Sequence, residues 1–218
     1  MLLGELQGLL TKINDAAVRE DVRDYLITDR QLLAGWHAPT AAATSEETLL
    51  VAERRGGLDL GLYLDPKLLE RLDASEPLTR LTDDNLEDFC TALEGVSHFQ
   101  CVAFSAARDW PVSLLGLEMQ ADIDKYSVSV LVAGSQRGGR LVRGLHERLF
   151  AHIRFREDLD AGLAALYRKA NRYAARFCRK LEERFLSRRD ARVPEMLAEL
   201  RRFYRLGDAG KLRVIEAT

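Results

Sequence analysis

One segment restricts the fold of this chain more than any other: TLLVAERRGGLDLGLYL, residues 48–64. It has two β-prone runs joined at Gly56-Gly57, a pair that can adopt the positive φ angles of a tight hairpin turn. Every second residue from Leu58 to Leu64 is a leucine, so one face of the second run is expected to lie against a core. Asp65-Pro66 then resembles a helix N-cap followed by proline at the first helical position. The segment predicts an antiparallel hairpin followed by a short helix.

Helical periodicity accounts for much of the remaining chain. Apolar residues recur every three or four positions in several segments that we expect to be helices: residues 2–13, 18–26, 83–95, 163–184 and 194–207. Gly95 is expected to end the third of these helices and Gly207 the last, because glycine is frequent just past a helix C-terminus. Residues 35–45 have the composition of a loop.

Three further segments bear on the number of strands. Residues 97–106, SHFQCVAFSA, are compact, aromatic and β-branched, which favours a buried strand, and KLRVIEA at residues 211–217 is interpreted as a terminal strand. Residues 126–133 fit either a strand or the continuation of a helix that begins near Val112. The segregation of helices and strands predicts an α+β fold with a small, mainly antiparallel sheet, helices packed on it, and a predominantly helical C-terminal part.

The charge is distributed unevenly along the chain. Residues 1–136 contain 11 basic and 23 acidic side chains, whereas residues 137–218 contain 21 basic and 11 acidic ones. The sign changes at GSQRGG, residues 134–139, which has turn composition. The acidic and the basic part can attract one another within one fold, or the basic part can bind an acidic partner. We expect one α+β domain over residues 1–218, with an acidic sheet-bearing part and a basic helical part.

The cysteines and the N-terminus indicate a cytoplasmic location. Cys90, Cys101 and Cys178 are odd in number and form no C-x-x-C pair, which favours a reducing compartment. The N-terminal apolar stretch has no early positive charge and contains Glu5 and Gln7, so it is not expected to be a signal peptide. No apolar run approaches the roughly 18 residues of a membrane span. We therefore expect a bacterial-type cytoplasmic protein without membrane association.

The familiar catalytic motifs do not occur in the sequence. There is no phosphate-binding G-x-x-x-x-G-K-[ST], no dinucleotide-binding G-x-G-x-x-G, no H-E-x-x-H, no G-x-S-x-G and no EF-hand loop. The sequence therefore does not favour nucleotide hydrolysis or zinc proteolysis. Whether the protein is an enzyme stays open at this point.

Two central segments carry the side chains best suited to chemistry. On a continuous helix Glu118, Asp122 and Lys125 would occupy positions i, i+4 and i+7 and share one face. If Glu94 and His98 approached that face, the group could bind a divalent metal through Glu94, His98, Glu118 and Asp122, or work as acid and base with Lys125 included. The alternative interpretation is a solvated helix face with internal ion pairs, Asp122 with Lys125 among them.

A basic segment supplies candidate contacts to a partner. Arg168, Arg172, Arg176 and Arg179 recur at helical spacing in residues 167–185, close to Tyr167 and Tyr173. Such a face can follow a phosphate backbone or pair with carboxylates. The isoelectric point of about 6.1 lies far below that of typical nucleic-acid-binding domains, which favours a protein partner over a nucleic acid.

Two functional hypotheses follow from the sequence. The first is a cytoplasmic accessory or regulatory protein that acts by binding another macromolecule and forms a homodimer through its apolar helices. The second is a small metal-assisted or acid/base enzyme centred on the Glu, His and Asp side chains named above.

Overall fold

The computed structural model describes residues 2–36, 45–54, 56–140, 144–151, 160–186 and 192–217. Within these ranges the helices are α1 (Leu2–Asn14), α2 (Pro66–Ser75), α3 (Leu86–Ala106), α4 (Leu114–Gln136), α5 (Leu145–Phe150), α6 (Ala161–Leu181), α7 (Val193–Tyr204) and α8 (Asp208–Glu216), and the strands are β1 (Leu26–Ile27), β2 (Glu47–Arg54) and β3 (Gly57–Leu64). The chain divides into two compact units. The first comprises Met1–Leu9 and Ala17–Pro111, and the second comprises Leu10–Ala16 and Val112–Thr218.

The sheet lies in the first unit and is built around the predicted hairpin. Its strand order is β1-β3-β2, with β3 antiparallel to β2 and parallel to β1. The hairpin register runs from Glu47 opposite Leu64 to Arg54 opposite Gly57. Gly56 has a φ angle of 102° in the turn, a conformation that glycine adopts without strain. The prediction of a hairpin at Gly56-Gly57 is confirmed.

The leucine face of β3 is buried only towards the C-terminal end of the strand. Leu62 and Leu64 have no exposed surface, whereas Leu58 near the turn is 37% exposed. The predicted helix follows directly: the Asp65 side chain accepts a hydrogen bond from the backbone N–H of Lys67 at 2.9 Å, and Pro66 opens α2. The cap and the helix are therefore confirmed.

Helix α3 packs against β2 and β3 and corrects two predictions. Residues 97–106, predicted as a strand, form the second half of this helix, and Gly95, expected to end a helix, lies inside it. Every residue from Gly95 to Gln100 is buried. A helix that is buried all round loses the apolar stripe by which helices are recognised in a sequence, so this segment resembled a buried strand.

A third correction concerns residues 18–26, where a helix was expected. The structure has a 3₁₀ turn at Val22–Tyr25, followed by the two-residue strand β1. The Gln7 side chain of α1 holds this turn, because it accepts a hydrogen bond from the Val22 N–H at 3.0 Å and donates one to the Glu20 carbonyl at 2.8 Å.

The second unit is helical in its described residues. Helix α4 packs against α5 and α6, and α6 also contacts α8. Phe177 of α6 stacks on Phe203 of α7 with ring centroids 4.0 Å apart. A π-helical turn, Glu182–Leu186, follows α6 and contacts α7. The apolar stripes predicted along residues 163–184 and 194–207 thus form the core of this unit.

Three predictions on strands and helix ends are settled in the second unit. Residues 126–133 belong to helix α4. The predicted terminal strand at 211–217 is wrong, because residues 211–216 belong to helix α8. Lys211 and Ile215, four residues apart, are both buried on one face of this helix. Gly207 does not close α7, which ends at Tyr204, but is the N-cap residue of α8.

The architecture is α+β, with a small three-stranded mixed sheet and a helical C-terminal part, as predicted. The division between the units at Pro111 and Val112 precedes the change of charge at residues 134–139. The expectation of one domain over residues 1–218 stays a prediction. The predicted loop at residues 35–45 falls mostly outside the described residues. Among the described helices none is both long and apolar enough to span a membrane.

Candidate functional sites

Three ionisable side chains meet in the first unit, between β2 and α3. Glu47, Glu94 and His98, which we name the Glu/His cluster, place one potential ligand atom each within 4.8 Å of the other two. The distance from Nδ1 of His98 to Oε1 of Glu47 is 3.7 Å. The two side chains are 7% and 12% exposed, and Glu94 is half-buried. The cluster is therefore compact and largely shielded from water.

The first residue of β2 supplies Glu47, and the local backbone fixes its position. Ser45 Oγ donates a hydrogen bond to the Glu47 carbonyl at 2.6 Å and accepts one from the Glu47 N–H at 3.4 Å. These bonds hold the strand start, while the pairing of Glu47 with Leu64 sets its register. Glu94 and His98 are four residues apart on α3, so both project from the same side of that helix.

A glycine between the two helical members makes room for the third. A Cβ atom at Gly95 would lie 2.8 Å from Cγ and 2.9 Å from Oε1 of Glu47, and 2.7 Å from Cδ1 of Leu62. Any larger residue would therefore displace the Glu47 carboxylate or a leucine of the core. Gly95, predicted to end a helix, instead lets the carboxylate approach the helix between Glu94 and His98.

The structure places the residues of the predicted site in both units. Glu94 and His98 belong to the cluster, whereas Glu118, Asp122 and Lys125 lie on α4 in the second unit. There Nζ of Lys125 forms an ion pair with Oδ1 of Asp122 at 2.7 Å, so the expected pairing within the helix is confirmed. These two side chains are only 17% and 12% exposed, which places them on a covered face instead of a solvated one.

The second unit contains a buried polar network that the sequence reasoning did not find. Nζ of Lys211 donates to Oε1 of Gln120 at 2.9 Å, and Oδ1 of Asp124 accepts from Gln120 Nε2 and from Asn14 Nδ2, both at 3.0 Å. All four side chains of this buried network are at most 5% exposed. Gln120 and Asp124 are four residues apart on α4, but Lys211 and Asn14 lie 91 and 110 positions from their partners, so only the tertiary fold reveals the network.

Arginine and lysine side chains line the exposed side of α6. Arg168, Lys169, Arg172 and Arg176, which we name the basic face, are all exposed. Three of them recur every fourth residue, which places their Cα atoms about 6 Å apart along the helix axis. Ala161–Leu181 contains six basic side chains and neither aspartate nor glutamate. The helix therefore presents charge of one sign.

Two further basic residues of α6 have structural contacts within the second unit. Nη2 of Arg179 lies 3.2 Å from Nδ1 of His146, whose Nε2 lies 2.8 Å from the Ala175 carbonyl. Nζ of Lys180 donates to the Ile215 carbonyl at 2.6 Å, near the C-terminal end of α8. Arg179, predicted as a partner contact, thus has one of its guanidinium nitrogens directed towards α5.

An apolar cleft of about 630 Å³ lies beside the sheet. Ile27, Leu32 and Trp36 line one side and the end of β2 the other. Leu32 is 55% exposed, so the cleft is open to solvent. Its described lining is apolar apart from the charged residues Glu53 and Arg54 at the end of β2, so it is suited to apolar groups in general.

The fold and these sites define an α+β protein with a shielded Glu/His cluster in one unit and an exposed arginine-rich helix in the other. A scan against models of known protein families found no match, and searches of curated proteins and of solved structures also found none. Glu47 is the member of the cluster that was not predicted from the sequence. Gly95, between Glu94 and His98, was the only hint in the sequence that another side chain approaches the helix there.

Proposed function

We propose that this protein is a cytoplasmic accessory or regulatory protein that acts by binding another macromolecule, with the basic face of α6 as its contact surface. The observation that carries the proposal is the exposure of four basic side chains on a helix without acidic residues. Charge of one sign on a rigid element attracts an acidic partner and fixes its orientation.

The electrostatics around Lys180 support a positive potential along this helix. Burial lowers the pKa of Lys180, and the charge of Arg176 one turn away lowers it further. The effect of Arg176 on Lys180 is that of two like charges on one helix face, and it adds to the positive charge that the basic face presents.

An acidic protein surface suits this face better than a nucleic acid. The isoelectric point of the chain, about 6.1, lies far below that of typical nucleic-acid-binding domains. Arginine also forms paired hydrogen bonds with carboxylates in a fixed fork geometry. We therefore place Arg168, Arg172 and Arg176 against carboxylates of a protein partner, with Arg179 at the margin of the contact.

A direct test compares two anionic probes. Binding of a fluorescent oligoglutamate peptide and of a single-stranded oligonucleotide is measured by anisotropy at low and moderate salt. We expect the peptide to bind with an affinity that falls with salt, and the triple variant Arg168→Glu, Arg172→Glu, Arg176→Glu to bind it at least about tenfold more weakly.

The matched control reverses the same number of charges elsewhere. Arg19, Arg80 and Arg137 are exposed and lie outside α6. Their triple substitution by glutamate should retain much more of the affinity, although the net charge changes equally. Equal losses in both triple variants would contradict the proposed surface, and tighter binding of the oligonucleotide than of the peptide would replace the protein partner with a nucleic acid.

The enzyme alternative receives support from two of its five predicted residues. Glu94 and His98 join a cluster, with Glu47 in place of the predicted Glu118 and Asp122. Turnover at this place requires substrate access, and the exposed fractions of 7% and 12% at His98 and Glu47 restrict it. Acid/base catalysis is therefore the second candidate.

The homodimer stays a prediction, and fewer apolar side chains are available to form it than the sequence suggested. The apolar side chains of α6 and α7 that suggested it, such as Phe177 and Phe203, are buried within the second unit. Sedimentation of the purified protein over a range of concentrations tests it, since a concentration-independent monomer would contradict a dimer.

A further inference from the structure

We propose that the Glu/His cluster is a binding site for a divalent transition-metal ion of the Zn²⁺, Co²⁺ or Mn²⁺ class. The inference is independent of the basic face, because the cluster belongs to the other unit. Its ligands are the carboxylates of Glu47 and Glu94 and the imidazole of His98.

The donor set favours this class of ion. An imidazole nitrogen binds Zn²⁺ and its neighbours in the first transition series, whereas Mg²⁺ and Ca²⁺ prefer sites made of oxygen alone. Two carboxylates and one imidazole supply three protein ligands, which leaves a further position for water. The same set would bind Mg²⁺ or Ca²⁺ only weakly.

The distances within the cluster are close to those around a bound ion. Ligand atoms that lie about 2.0–2.2 Å from a tetrahedral Zn²⁺ are about 3.3–3.6 Å from each other. The observed distance between His98 Nδ1 and Glu47 Oε1 is 3.7 Å, and all three ligand atoms lie within 4.8 Å of one another. The Glu47–His98 spacing is therefore already close to that of two ligands of one ion.

A simple ion pair explains the arrangement less well. A charge-assisted hydrogen bond between imidazolium and carboxylate has a length of about 2.7–2.9 Å, which is much shorter than 3.7 Å. Coordination to a divalent cation requires the wider spacing, because each ligand atom then lies next to the ion and not next to another ligand atom.

The backbone around the cluster holds the ligands in place before any ion binds. Ser45 fixes the start of β2 at Glu47, and Gly95 lets that carboxylate lie against α3. Glu94 and His98 project from adjacent turns of the same helix. A bound ion would therefore link β2 to α3, and we expect it to stabilise the first unit.

The test begins with protein that has been freed of metal by a chelator. Isothermal calorimetry with Zn²⁺, Co²⁺ and Mg²⁺ is combined with the visible absorption of bound Co²⁺. We expect one Zn²⁺ or Co²⁺ per chain, visible Co²⁺ bands, a melting temperature that rises with metal concentration, and no heat with Mg²⁺.

The variants remove one ligand at a time. Glu94→Gln should weaken Co²⁺ binding at least about tenfold, and Glu47→Gln and His98→Gln should do so as well. Glu94 is half-buried, so its variant is expected to fold, which circular dichroism checks. Glu53→Gln is the matched control, because Glu53 is an exposed carboxylate of the same strand, and its affinity should equal that of the unaltered protein.

Gly95→Ala adds a variant that keeps every ligand atom. The new methyl group must displace the Glu47 carboxylate, so the Co²⁺ affinity should fall although the donor set is unchanged. Absence of Zn²⁺ and Co²⁺ binding to the unaltered protein would overturn the proposal. An unaltered affinity in folded Glu94→Gln, or stronger binding of Mg²⁺ than of Zn²⁺, would also overturn it.

Discussion

The two units bury their ionisable side chains in different ways. In the second unit Lys211 and Asp124 are connected through Gln120 by hydrogen bonds of 2.9 and 3.0 Å. In the first unit Glu47 and His98 face each other at 3.7 Å, beyond hydrogen-bond length. The distances distinguish the two cases. Hydrogen bonds of normal length stabilise the second unit, whereas the 3.7 Å between Glu47 and His98 is the spacing of two ligands of one metal ion.

The second unit also separates its charges between its interior and its surface. The second unit uses its charges both inside, in the buried network, and outside, on the basic face of α6. Its interior charges are connected by an amide, while its exterior charges on α6 have a single sign. We infer that the buried charges of the second unit stabilise its fold and that its surface charges attract a partner. The first unit, in contrast, is inferred to bind a metal ion.

The largest expected effect comes from breaking the buried network. Lys211→Ala removes a 95% buried cation and takes away the hydrogen-bond donor of Gln120 Oε1 in the core. We expect the free energy of unfolding to fall by about 3–5 kcal/mol. Urea denaturation monitored by circular dichroism measures the loss.

The control for this substitution lies two residues further along α8. Arg213 is exposed, and Arg213→Ala should change the stability by no more than about 0.5 kcal/mol. If Lys211→Ala lowered the free energy of unfolding no more than Arg213→Ala, the buried network would not stabilise the second unit. The proposed difference between the two units would then be wrong.

A smaller loss is expected from Gly95→Ala in the first unit. The new methyl group would lie 2.7 Å from Leu62 and 2.8 Å from Glu47, so the core must adjust. Overpacking of this kind costs about 1–3 kcal/mol. Gly8→Ala in α1 is the control, because no atom lies within 4 Å of its added Cβ and alanine favours helix by about 0.5–1 kcal/mol. Stabilisation by both substitutions would contradict the close approach at Gly95.

The helix caps offer a third comparison between the units. Asp65 accepts hydrogen bonds from Lys67 N–H, Arg30 and Tyr63, whereas the side chain of Asp160 caps α6 through Leu163 N–H. Asp65→Ala should therefore cost more than Asp160→Ala, within the range of about 0.5–2 kcal/mol typical of caps. Thermal unfolding of both variants measures the difference, and an equal loss would show that Arg30 and Tyr63 add nothing.

The same carboxylate predicts a dependence on pH. The Lys67 N–H and the Arg30 guanidinium hold the pKa of Asp65 below its ordinary value, so its stabilising contribution is present above about pH 4. It is lost as the pH falls through the lower pKa of the folded state. The stability difference between the unaltered protein and Asp65→Ala should therefore shrink in acid, and a difference that grew in acid would contradict this assignment.

The smallest expected effect concerns thiol reactivity and leaves the stability unchanged. Cys178 in the second unit has no exposed surface, and burial raises the pKa of its thiol. Cys90 and Cys101 in the first unit are partly exposed. A thiol reagent should modify these two first and Cys178 only on unfolding. Equal rates at all three positions would contradict the packing of the second unit.

Local signals in the sequence predicted the elements that depend on neighbouring residues. The turn at Gly56-Gly57 and the cap at Asp65 involve residues a few positions apart, and both are confirmed. Residues 97–106 were mistaken for a strand because their surroundings bury every side of the helix. The terminal segment 211–217 was mistaken for a strand because its β-branched residues outweighed the helical spacing of Lys211 and Ile215.

Two of the three residues of the candidate site, Glu94 and His98, could be predicted because they are close in sequence. The spacing of Glu94 and His98 is visible in the sequence, since four residues on a helix share a side. Glu47 lies about 50 positions away, and only the packing of α3 on β2 brings it close. The partner of Glu94 and His98 was therefore sought in Glu118 and Asp122, which helical spacing also made prominent.

Diffraction from crystals grown with Co²⁺, recorded at wavelengths on both sides of its absorption edge, tests the contrast between the units most directly. We expect an anomalous peak about 2.0–2.2 Å from ligand atoms of Glu47, Glu94 and His98, and none at the Lys211–Gln120–Asp124 network. A fully loaded crystal without a peak at the Glu/His cluster, or with its peak in the buried network, would contradict it.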